Sequence, residues 1–247
     1  MLRAQTRMIE GRVRREGHIE PMAGFSAATT RDDAFGPWVR RGIRRSCDAK
    51  RVLFRKGEPA EGLYLLIKGH VKLTSTSKTD GKELVHAILG PGDVFGEGAI
   101  EESATRTTTA IALEPCELFF LSRYDALSSL RENAGFVLKI FSAMAHRFLA
   151  ATTLIEDLAF SNLPIRLAKA LLSLGRTLGH PVADGLRIDC RLTQQDLASM
   201  VGASRESINK LLSAWRSHGL LSMTGRCLVL TRPDELLMTA QTATGSS

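Results

Sequence analysis

A glycine-rich segment, with an arginine nine residues after its glutamate, has residue types that could bind a phosphorylated ligand. Backbone N–H groups at the start of a short helix attract anions, and the Arg106 guanidinium would add a charge-assisted clamp. The Glu97 carboxylate could accept a hydrogen bond from a ribose hydroxyl. The candidate ligand-binding residues here are Gly96, Glu97, Gly98, Ala99, Arg106 and Thr107. The alternative is a Glu97–Arg106 ion pair that only holds an empty loop together.

A second set of polar residues, near the C-terminus, could read DNA. Thr193 can cap a helix that ends at Gly202, where a left-handed backbone costs glycine least, and Ser204 can cap the next helix. Near the start of a recognition helix, arginine can bind guanine bidentately and glutamate can accept from cytosine. The candidate DNA-binding residues are Thr193, Gln195, Ser204, Arg205, Glu206, Asn209, Lys210 and Arg226, of which Thr193, Gln195, Ser204 and Arg226 suit phosphate contacts. The alternative is a helical hairpin that binds protein.

The elements that must position the first set are short strands. Apolar or β-prone runs separated by glycine turns occupy residues 52–54, 63–67, 71–75, 84–89, 107–113 and 117–121. Many short strands at this spacing indicate an all-β barrel or sandwich. We predict that the candidate phosphate site lies on this scaffold, with a short helix around Trp38 and Ile43 packed against it.

The period then changes to that of helices. We predict helices over residues 124–131 and 134–160, and the longer one has an apolar heptad seam, which is typical of helix–helix dimers. The predicted dimer interface consists of Leu138, Phe141, Ala145, Phe148, Thr152 and Ile155. The alternative is that this face packs on the β-domain of its own chain.

The elements that must position the second set are three helices and a hairpin. Helices are predicted over residues 163–174, 193–201 and 204–218, and strands at 220–223 and 227–230 flank a compact turn. The order is helix, helix, turn, helix and wing. This order predicts a winged helix-turn-helix.

Charge is distributed unevenly along the 247 residues, with +8 in residues 1–56, −5 in residues 57–160 and +4 in residues 161–247. Such a pattern indicates modules with separate partners. No run of about 18 apolar residues is present, so we expect neither a transmembrane helix nor a membrane partner. With no secretory signal and four widely spaced cysteines, a cytoplasmic location is expected. The histidines and cysteines are too scattered to predict a metal site or haem, and no nucleophile–base constellation predicts an enzyme.

The order of these parts resembles the cyclic-AMP receptor protein (Crp/Fnr) family of bacterial transcription regulators. The resemblance is carried by GPGDVFGE at residues 90–97, LAF at 158–160 and VGASRE at 201–206, and it covers about residues 52–229. It implies a homodimer that binds a palindromic, TGTGA-like operator, works with RNA polymerase and senses a small molecule in a β-roll. It also implies a cyclic nucleotide, cAMP or cGMP, held by the glycine, glutamate, arginine and threonine already named.

The sequence departs from the family pattern at two functional places. Family members that bind cyclic AMP place a Thr-Ser pair of the dimer helix against adenine, where this sequence has Ala151 and Thr152. Ala151 cannot donate a hydrogen bond, so Thr152 and Thr153 remain as candidates. The family's second base-reading arginine is replaced by Lys210, which reaches guanine as a flexible point donor.

The sequence therefore predicts an α+β protein with a cyclic-nucleotide-binding β-roll of jelly-roll type, a long dimerisation helix and a C-terminal winged helix-turn-helix. The predicted domains are a basic, disordered tail (1–36), the β-roll (37–132), the dimerisation helix (133–160) and the DNA-binding domain (161–247). The expected function is ligand-responsive transcription regulation. The alternatives are a family member with another ligand or none, and a nucleotide-sensing module that docks a protein partner.

Overall fold

The computed structural model describes residues 35–224 and 227–242. Arg226 and residues 1–34 of the predicted tail lie outside the described residues. Within the described part, an antiparallel β-roll is followed by a long helix and a smaller α+β domain. This order matches the fold class predicted from the sequence.

The β-roll consists of two four-stranded antiparallel sheets. One has the order β1-β8-β3-β6 and the other the order β2-β7-β4-β5. The strands are β1 Ile43–Cys47, β2 Val52–Phe54, β3 Gly62–Lys68, β4 Val71–Thr76, β5 Glu83–Leu89, β6 Val94–Phe95, β7 Thr109–Ala112 and β8 Cys116–Ser122. Their alternating apolar side chains meet between the sheets in a core that includes Phe54, Tyr64, Leu73 and Phe95.

All six predicted strands are present, with ends that differ by a few residues. Strand β7 begins at Thr109, because Thr107 lies in a bend. Ile43 begins strand β1, and the predicted helix near it is only α1 Gly36–Arg41. Strand β1 was missed because four of its five residues are exposed, so it lacks the alternation of a half-buried strand.

Two helices connect the β-roll to the C-terminal domain. They are α2 Arg123–Glu132 and α3 Ala134–Phe160. Asn133 caps α3 by accepting a hydrogen bond from the Phe136 backbone N–H, and Phe136 anchors the helix by packing on Trp38. The sequence predicted no membrane-spanning helix, but α3 is long and apolar enough to cross a membrane by length and composition alone. One such helix is weak evidence for a membrane span, because helices of soluble proteins can have the same length and composition.

The C-terminal domain packs three helices of the helix-turn-helix region, a four-stranded sheet and a final helix around one core. Its elements are α4 Leu163–Leu178, β9 Gly179–Val182, β10 Gly185–Ile188, α5 Gln194–Val201, α6 Arg205–Ser217, β11 Leu221–Thr224, β12 Cys227–Leu230 and α7 Pro233–Thr242. The predicted wing is present as β11 and β12. Hairpin β9–β10 and helix α7 were missed, and the hairpin extends the wing into a sheet with the order β11-β12-β10-β9.

The two domains of the chain touch directly. Ile88 and Leu113 of the β-roll pack against the C-terminal core. Beside them, the Lys72 ammonium contacts Asp196 Oδ1 at 2.7 Å and Glu83 Oε1 at 2.8 Å, and the side chains of Lys72 and Asp196 are only 14% and 7% exposed. A nearly buried ion pair therefore joins strand β4 to the first helix of the helix-turn-helix.

Candidate functional site

A cavity of about 300 Å³ lies between the β-roll and helix α3. Such a volume is at the lower end of small-molecule sites. The lining residues from the β-roll are Phe54, Ala60, Leu73, His86, Gly96, Glu97, Gly98, Thr105, Arg106, Thr107 and Thr108, and those from α3 are Arg147, Phe148, Ala150, Ala151 and Leu154. Five of the six ligand-binding residues predicted in the glycine-rich segment and its arginine therefore line one cavity.

The sixth, Ala99, is fully buried and does not line the cavity. It belongs to a short 3-10 helix, Glu97–Ile100, and its backbone N–H donates to the Gly96 carbonyl. Gly96 precedes this helix in the left-handed region, with φ of 81°, and a Cβ there would lie 2.7 Å from an Arg106 nitrogen. Glycine at this position thus serves both the turn and the close approach of the arginine.

Arg106 is a buried cation that the backbone holds in place. It is 5% exposed, and its Nη1 and Nη2 donate to the carbonyl oxygens of Gly96 and Gly62 at 3.1 and 2.8 Å. The guanidinium lies 4.3 Å above the Phe54 ring. Among the described residues, no carboxylate lies within 4.0 Å of it, and its buried Nε has no hydrogen-bond partner. Burial lowers the pKa of Arg106, so the site is one where an anionic ligand would be stabilised.

Glu97 pairs with Arg147 of helix α3, at 2.8 Å between Oε2 and Nη2, and does not pair with Arg106. The alternative of a Glu97–Arg106 pair is therefore wrong: the Arg106 fork is turned toward carbonyl oxygens. Arg147 Nη2 forms an ion pair with Glu97 but makes no hydrogen bond. Its Nη1 donates a hydrogen bond to the Val94 carbonyl at 2.9 Å. Sequence reasoning missed Arg147, although an arginine inside a mostly apolar helix was a usable signal.

Thr152 and Thr153 do not line the cavity of their own chain. Both are exposed on helix α3, and the Thr152 hydroxyl donates to the Phe148 carbonyl one turn earlier. Ala151 is the residue of this stretch that does line the cavity. A ligand in the cavity would thus meet a methyl group there, and His86, whose Nε2 lies 2.8 Å from the Ser75 hydroxyl, offers a polar edge on the β-roll side.

The predicted dimer seam is an exposed apolar stripe on α3. Leu138, Phe141, Phe148 and Ile155 are between 66% and 72% exposed, Thr152 is exposed and Ala145 is half-buried. Most of this face is exposed and does not pack on the β-domain of its own chain, which was the alternative, although Phe148 also lines the cavity. Contiguous apolar surface of this kind marks an interaction site.

The helix-turn-helix is built by local capping. Thr193 accepts a hydrogen bond from the Asp196 backbone N–H, and Asp196 Oδ2 accepts from the Thr193 backbone N–H at 2.9 Å, which makes a capping box. Gly202 ends α5 with φ of 65°, and Ser204 caps α6. Ile208, Leu212 and Trp215 bury one face of α6, so the opposite face is free to meet a partner.

The predicted DNA-reading residues share that free face or its edges. Gln195, Ser204, Arg205, Glu206, Asn209 and Lys210 are all exposed, as is Thr193. Four of them already have side-chain partners. Gln194 donates to Asn209 Oδ1 at 3.0 Å, Gln195 donates to Ser199 Oγ at 3.4 Å, the Ser204 hydroxyl lies 3.0 Å from the Ser207 hydroxyl, and the Thr193 hydroxyl donates to Asp196 Oδ2 at 2.6 Å. The Thr193 hydroxyl is thus used for capping, which leaves it less free for a phosphate than the sequence indicated.

Comparisons with known proteins agree with this geometry. The family model described as cyclic nucleotide-binding domain matches residues 44–133, and the model described as Crp-like helix-turn-helix domain matches residues 165–238. The first match covers the β-roll that carries the cavity, and the second covers the capped helices and the wing.

Similar proteins share the whole arrangement. The chain is 32% identical over 191 residues to a CRP-like cAMP-activated global transcriptional regulator of Mycobacterium tuberculosis, covering 77% of this chain and 84% of that protein. It is 33% identical over 186 residues to a cAMP-activated global transcriptional regulator of Pasteurella multocida, covering 74% and 87%. A solved structure of the c-di-GMP responsive global regulator CLP of Xanthomonas campestris matches with a TM-score of 0.65 and 28% identity, over 80% of this chain and 97% of that one. The chain therefore belongs to the Crp/Fnr family of transcription regulators.

Proposed function

We propose that this protein is a cytoplasmic homodimeric regulator that binds a palindromic, TGTGA-like operator under the control of a cyclic nucleotide, cAMP or cGMP. The observation that carries the proposal is Arg106, a buried cation that backbone carbonyls hold in place and that faces a cavity. A buried charge is stabilised by a counter-charge, and a cyclic phosphate would supply it. We propose that RNA polymerase is its partner at promoters. We propose no chemical reaction for the protein.

The remaining cavity residues support a nucleotide. Glu97 lines the cavity and pairs with Arg147, so its carboxylate could accept a hydrogen bond from a ribose hydroxyl while Arg147 keeps it in place. Thr107 could add a hydroxyl to a phosphate beside Arg106. We assign Thr152 and Thr153 to a ligand only across a dimer seam, because neither lines the cavity of its own chain.

Dimerisation is supported by the exposed stripe on α3. Burying four large apolar side chains against a second copy would remove their area from water, at about 25 cal/mol per Å². The heptad spacing suits a parallel pair of helices. Such a dimer would cover the apolar face of α3, a helix whose length and composition would also suit a membrane span, and we propose no membrane partner.

Operator binding is supported by α6. Arg205 and Glu206 extend from its first turn, where a recognition helix presents side chains to base edges. Lys210, one turn later, would discriminate less sharply as a point donor. The ligand would act by favouring the dimer form whose two α6 helices match half-sites one helical turn apart. We also propose the domain bounds 37–132 for the β-roll, 133–160 for the dimerisation helix and 161–247 for the DNA-binding domain.

The operator is tested by fluorescence anisotropy with a labelled TGTGA-N6-TCACA duplex and a scrambled duplex, with and without cAMP. Arg205→Ala should lose about 1–3 kcal/mol, or roughly 5- to 150-fold, on the specific duplex and relax base choice. Arg216→Ala, an exposed arginine in the last turn of the same helix, is the matched control and should keep the specific-to-scrambled ratio. An unchanged ratio in Arg205→Ala would refute the assignment of this residue.

The ligand is tested by calorimetry with cAMP, cGMP and c-di-GMP on the wild type, Arg106→Ala and the exposed control Arg131→Ala. The proposal expects binding of cAMP or cGMP that is lost in Arg106→Ala and kept in the control. A response to c-di-GMP alone, as named for the Xanthomonas regulator, would overturn the ligand but keep the regulator. Operator binding that no ligand changes would indicate a constitutive DNA binder, and failure to bind either duplex would favour a module that docks a protein.

A further inference from the structure

Two of the four cysteines are directly opposite each other on neighbouring strands. Strands β1 and β8 are antiparallel, and Cys47 pairs in register with Cys116. Paired residues of neighbouring strands extend their side chains to the same face of the sheet, so the two thiols are neighbours. Opposite residues of antiparallel strands have Cα atoms about 4.5 or 5.5 Å apart, and disulfides span about 4.4–6.8 Å between Cα atoms. The backbone thus holds the two sulfurs where a covalent bond needs little movement.

The two thiols differ in access. Strand β1 is the edge of its sheet, and Cys47 at its end is half-buried, whereas Cys116 is only 1% exposed. Cys47 is therefore the thiol that a dissolved reagent reaches first. Cys116 lies behind it, where its Sγ also approaches the carbonyl oxygens of Glu114 and His70 at 3.2 and 3.4 Å.

The surroundings also differ in their effect on ionisation. Interaction with the neighbouring Cys116 thiol lowers the pKa of Cys47 to about 7, against the opposing effect of burial. The same contact and burial raise the pKa of Cys116. A thiolate is the nucleophile in thiol oxidation, so near neutral pH the accessible sulfur is reactive and the buried one keeps its proton.

We propose that Cys47 and Cys116 form an oxidation site that a hydroperoxide converts to an intrachain disulfide. In the first step the Cys47 thiolate attacks the O–O bond, which gives a sulfenic acid on Cys47 and releases the alkoxide, or hydroxide from hydrogen peroxide. In the second step the Cys116 sulfur attacks the sulfenic sulfur, the S–S bond forms, and the thiol proton leaves with the hydroxyl as water. The hydroperoxide is reduced by two electrons, which the two thiols supply.

The other two cysteines have different surroundings. Cys190 lies in the C-terminal core, where burial raises its pKa to about 12. Cys227, on the wing strand β12, lies 3.5 Å from an Arg187 nitrogen, and its cross-strand partner on β11 is Thr224, not a cysteine. Cys190 and Cys227 are therefore the internal comparison for the pair.

The experiment treats the reduced full-length protein with a small excess of hydrogen peroxide near pH 7, blocks remaining thiols with iodoacetamide and maps the digest by mass spectrometry without reductant. We expect a cross-linked peptide that joins Cys47 to Cys116, disappears on addition of dithiothreitol and comes from protein of monomer mass on a non-reducing gel. Cys190→Ser is the matched control and should give the same cross-link. Cys47→Ser should lose it.

A second variant tests the order of the steps. Cys116→Ala removes the resolving sulfur, so Cys47 should accumulate as a sulfenic acid that dimedone traps. Absence of the Cys47–Cys116 peptide from the oxidised wild type would overturn the proposal, and so would a cross-link between two chains or to Cys227. A dimedone adduct on Cys227 rather than Cys47 would also overturn it. If Cys116→Ala does not fold, the wild type and Cys47→Ser decide the question alone.

Discussion

The helix-turn-helix takes its candidate side chains from residues 193–210, whereas the cavity draws its lining from residues spread between Phe54 and Leu154. In the first region, a capping box, a left-handed glycine and a second cap follow one another along the chain. In the second, Arg106 depends on the carbonyl oxygens of Gly96 and of Gly62 in strand β3, and Glu97 depends on a distant helix. A site built from consecutive residues is visible in sequence spacing, and a site assembled by tertiary contacts is only partly visible.

The two regions meet at Lys72. Lys72 is on strand β4, beside strand β5, which carries the cavity residue His86. Its ammonium contacts the Asp196 carboxylate, which also closes the capping box of α5. One side chain therefore connects the assembled region with the local one. Removing contacts of Lys72, then of the cavity wall, then of the helix-turn-helix cap should destabilise the protein by successively smaller amounts.

The largest effect is expected from Lys72→Met. It leaves Asp196 almost buried without its cation, and breaking a buried pair from one side costs about 3–5 kcal/mol. We expect the free energy of unfolding to fall by about 3 kcal/mol, the lower end of that range, because the hydrogen bonds between Thr193 and Asp196 remain. Urea unfolding followed by tryptophan fluorescence measures it. Lys82→Met, which breaks the exposed pair with Asp80, is the matched control and should leave the midpoint unchanged.

Acid should reveal the same pair with a smaller effect. Burial alone would raise the pKa of Asp196, but the hydrogen bonds from Lys72 and Thr193 outweigh it and lower this pKa. A carboxyl whose folded pKa is depressed contributes stability above its unfolded pKa of about 3.9 and loses it as the pH falls through the folded pKa. The gap in unfolding free energy between wild type and Lys72→Met should therefore be largest at neutral pH and narrow as acid protonates Asp196, first in the variant and then in the wild type. A gap that widens in acid would show that Asp196 is not the partner responsible.

A still smaller effect is expected in the cavity wall from Arg147→Met. The variant removes the hydrogen bond to the Val94 carbonyl and the ion pair with Glu97. The side chains of Arg147 and Glu97 are 21% and 24% exposed. Hydrogen bonds to charged groups contribute about 1.5–3 kcal/mol, and solvent screening at this exposure favours about 1.5. Thermal unfolding measures it, with His146→Met, the preceding and exposed residue, as control. Equal losses in both variants would mean that the contact with the β-roll contributes nothing.

The difference between the regions also explains which sequence predictions succeeded. Alternating strands such as β8 and the capped helices α5 and α6 were predicted within a few residues, because their signals lie inside each element. Strand β1 was missed because it is nearly all exposed. Strands β9 and β10 were missed because they contain Gly179, Pro181 and Gly185, residue types that indicate turns in a sequence.

Within the sites, the same reasoning found Arg106 but left open whether it pairs with Glu97, which it does not. The glycine-rich spacing indicated that an arginine approaches the loop, yet the direction of its fork depends on Gly62, 44 residues earlier. Arg147 was missed because an arginine on a long helix is usually solvated, and only the packing of α3 on β6 turns it inward. Long-range geometry is the part that residue types and spacing did not contain.

The smallest effect is expected where the structure is most local, at the cap of α5. Thr193→Ala removes a hydroxyl that accepts from the Asp196 backbone N–H and donates to its carboxylate, and losing such a cap costs about 1 kcal/mol. Thr193→Ser keeps the hydroxyl and should restore the urea midpoint. Because the hydroxyl already has both partners inside the protein, Thr193→Ser should also bind the operator as the wild type does. If the serine variant instead remained as unstable as the alanine variant, the methyl group and not the cap would be the stabilising part, and the local account of this helix would fail.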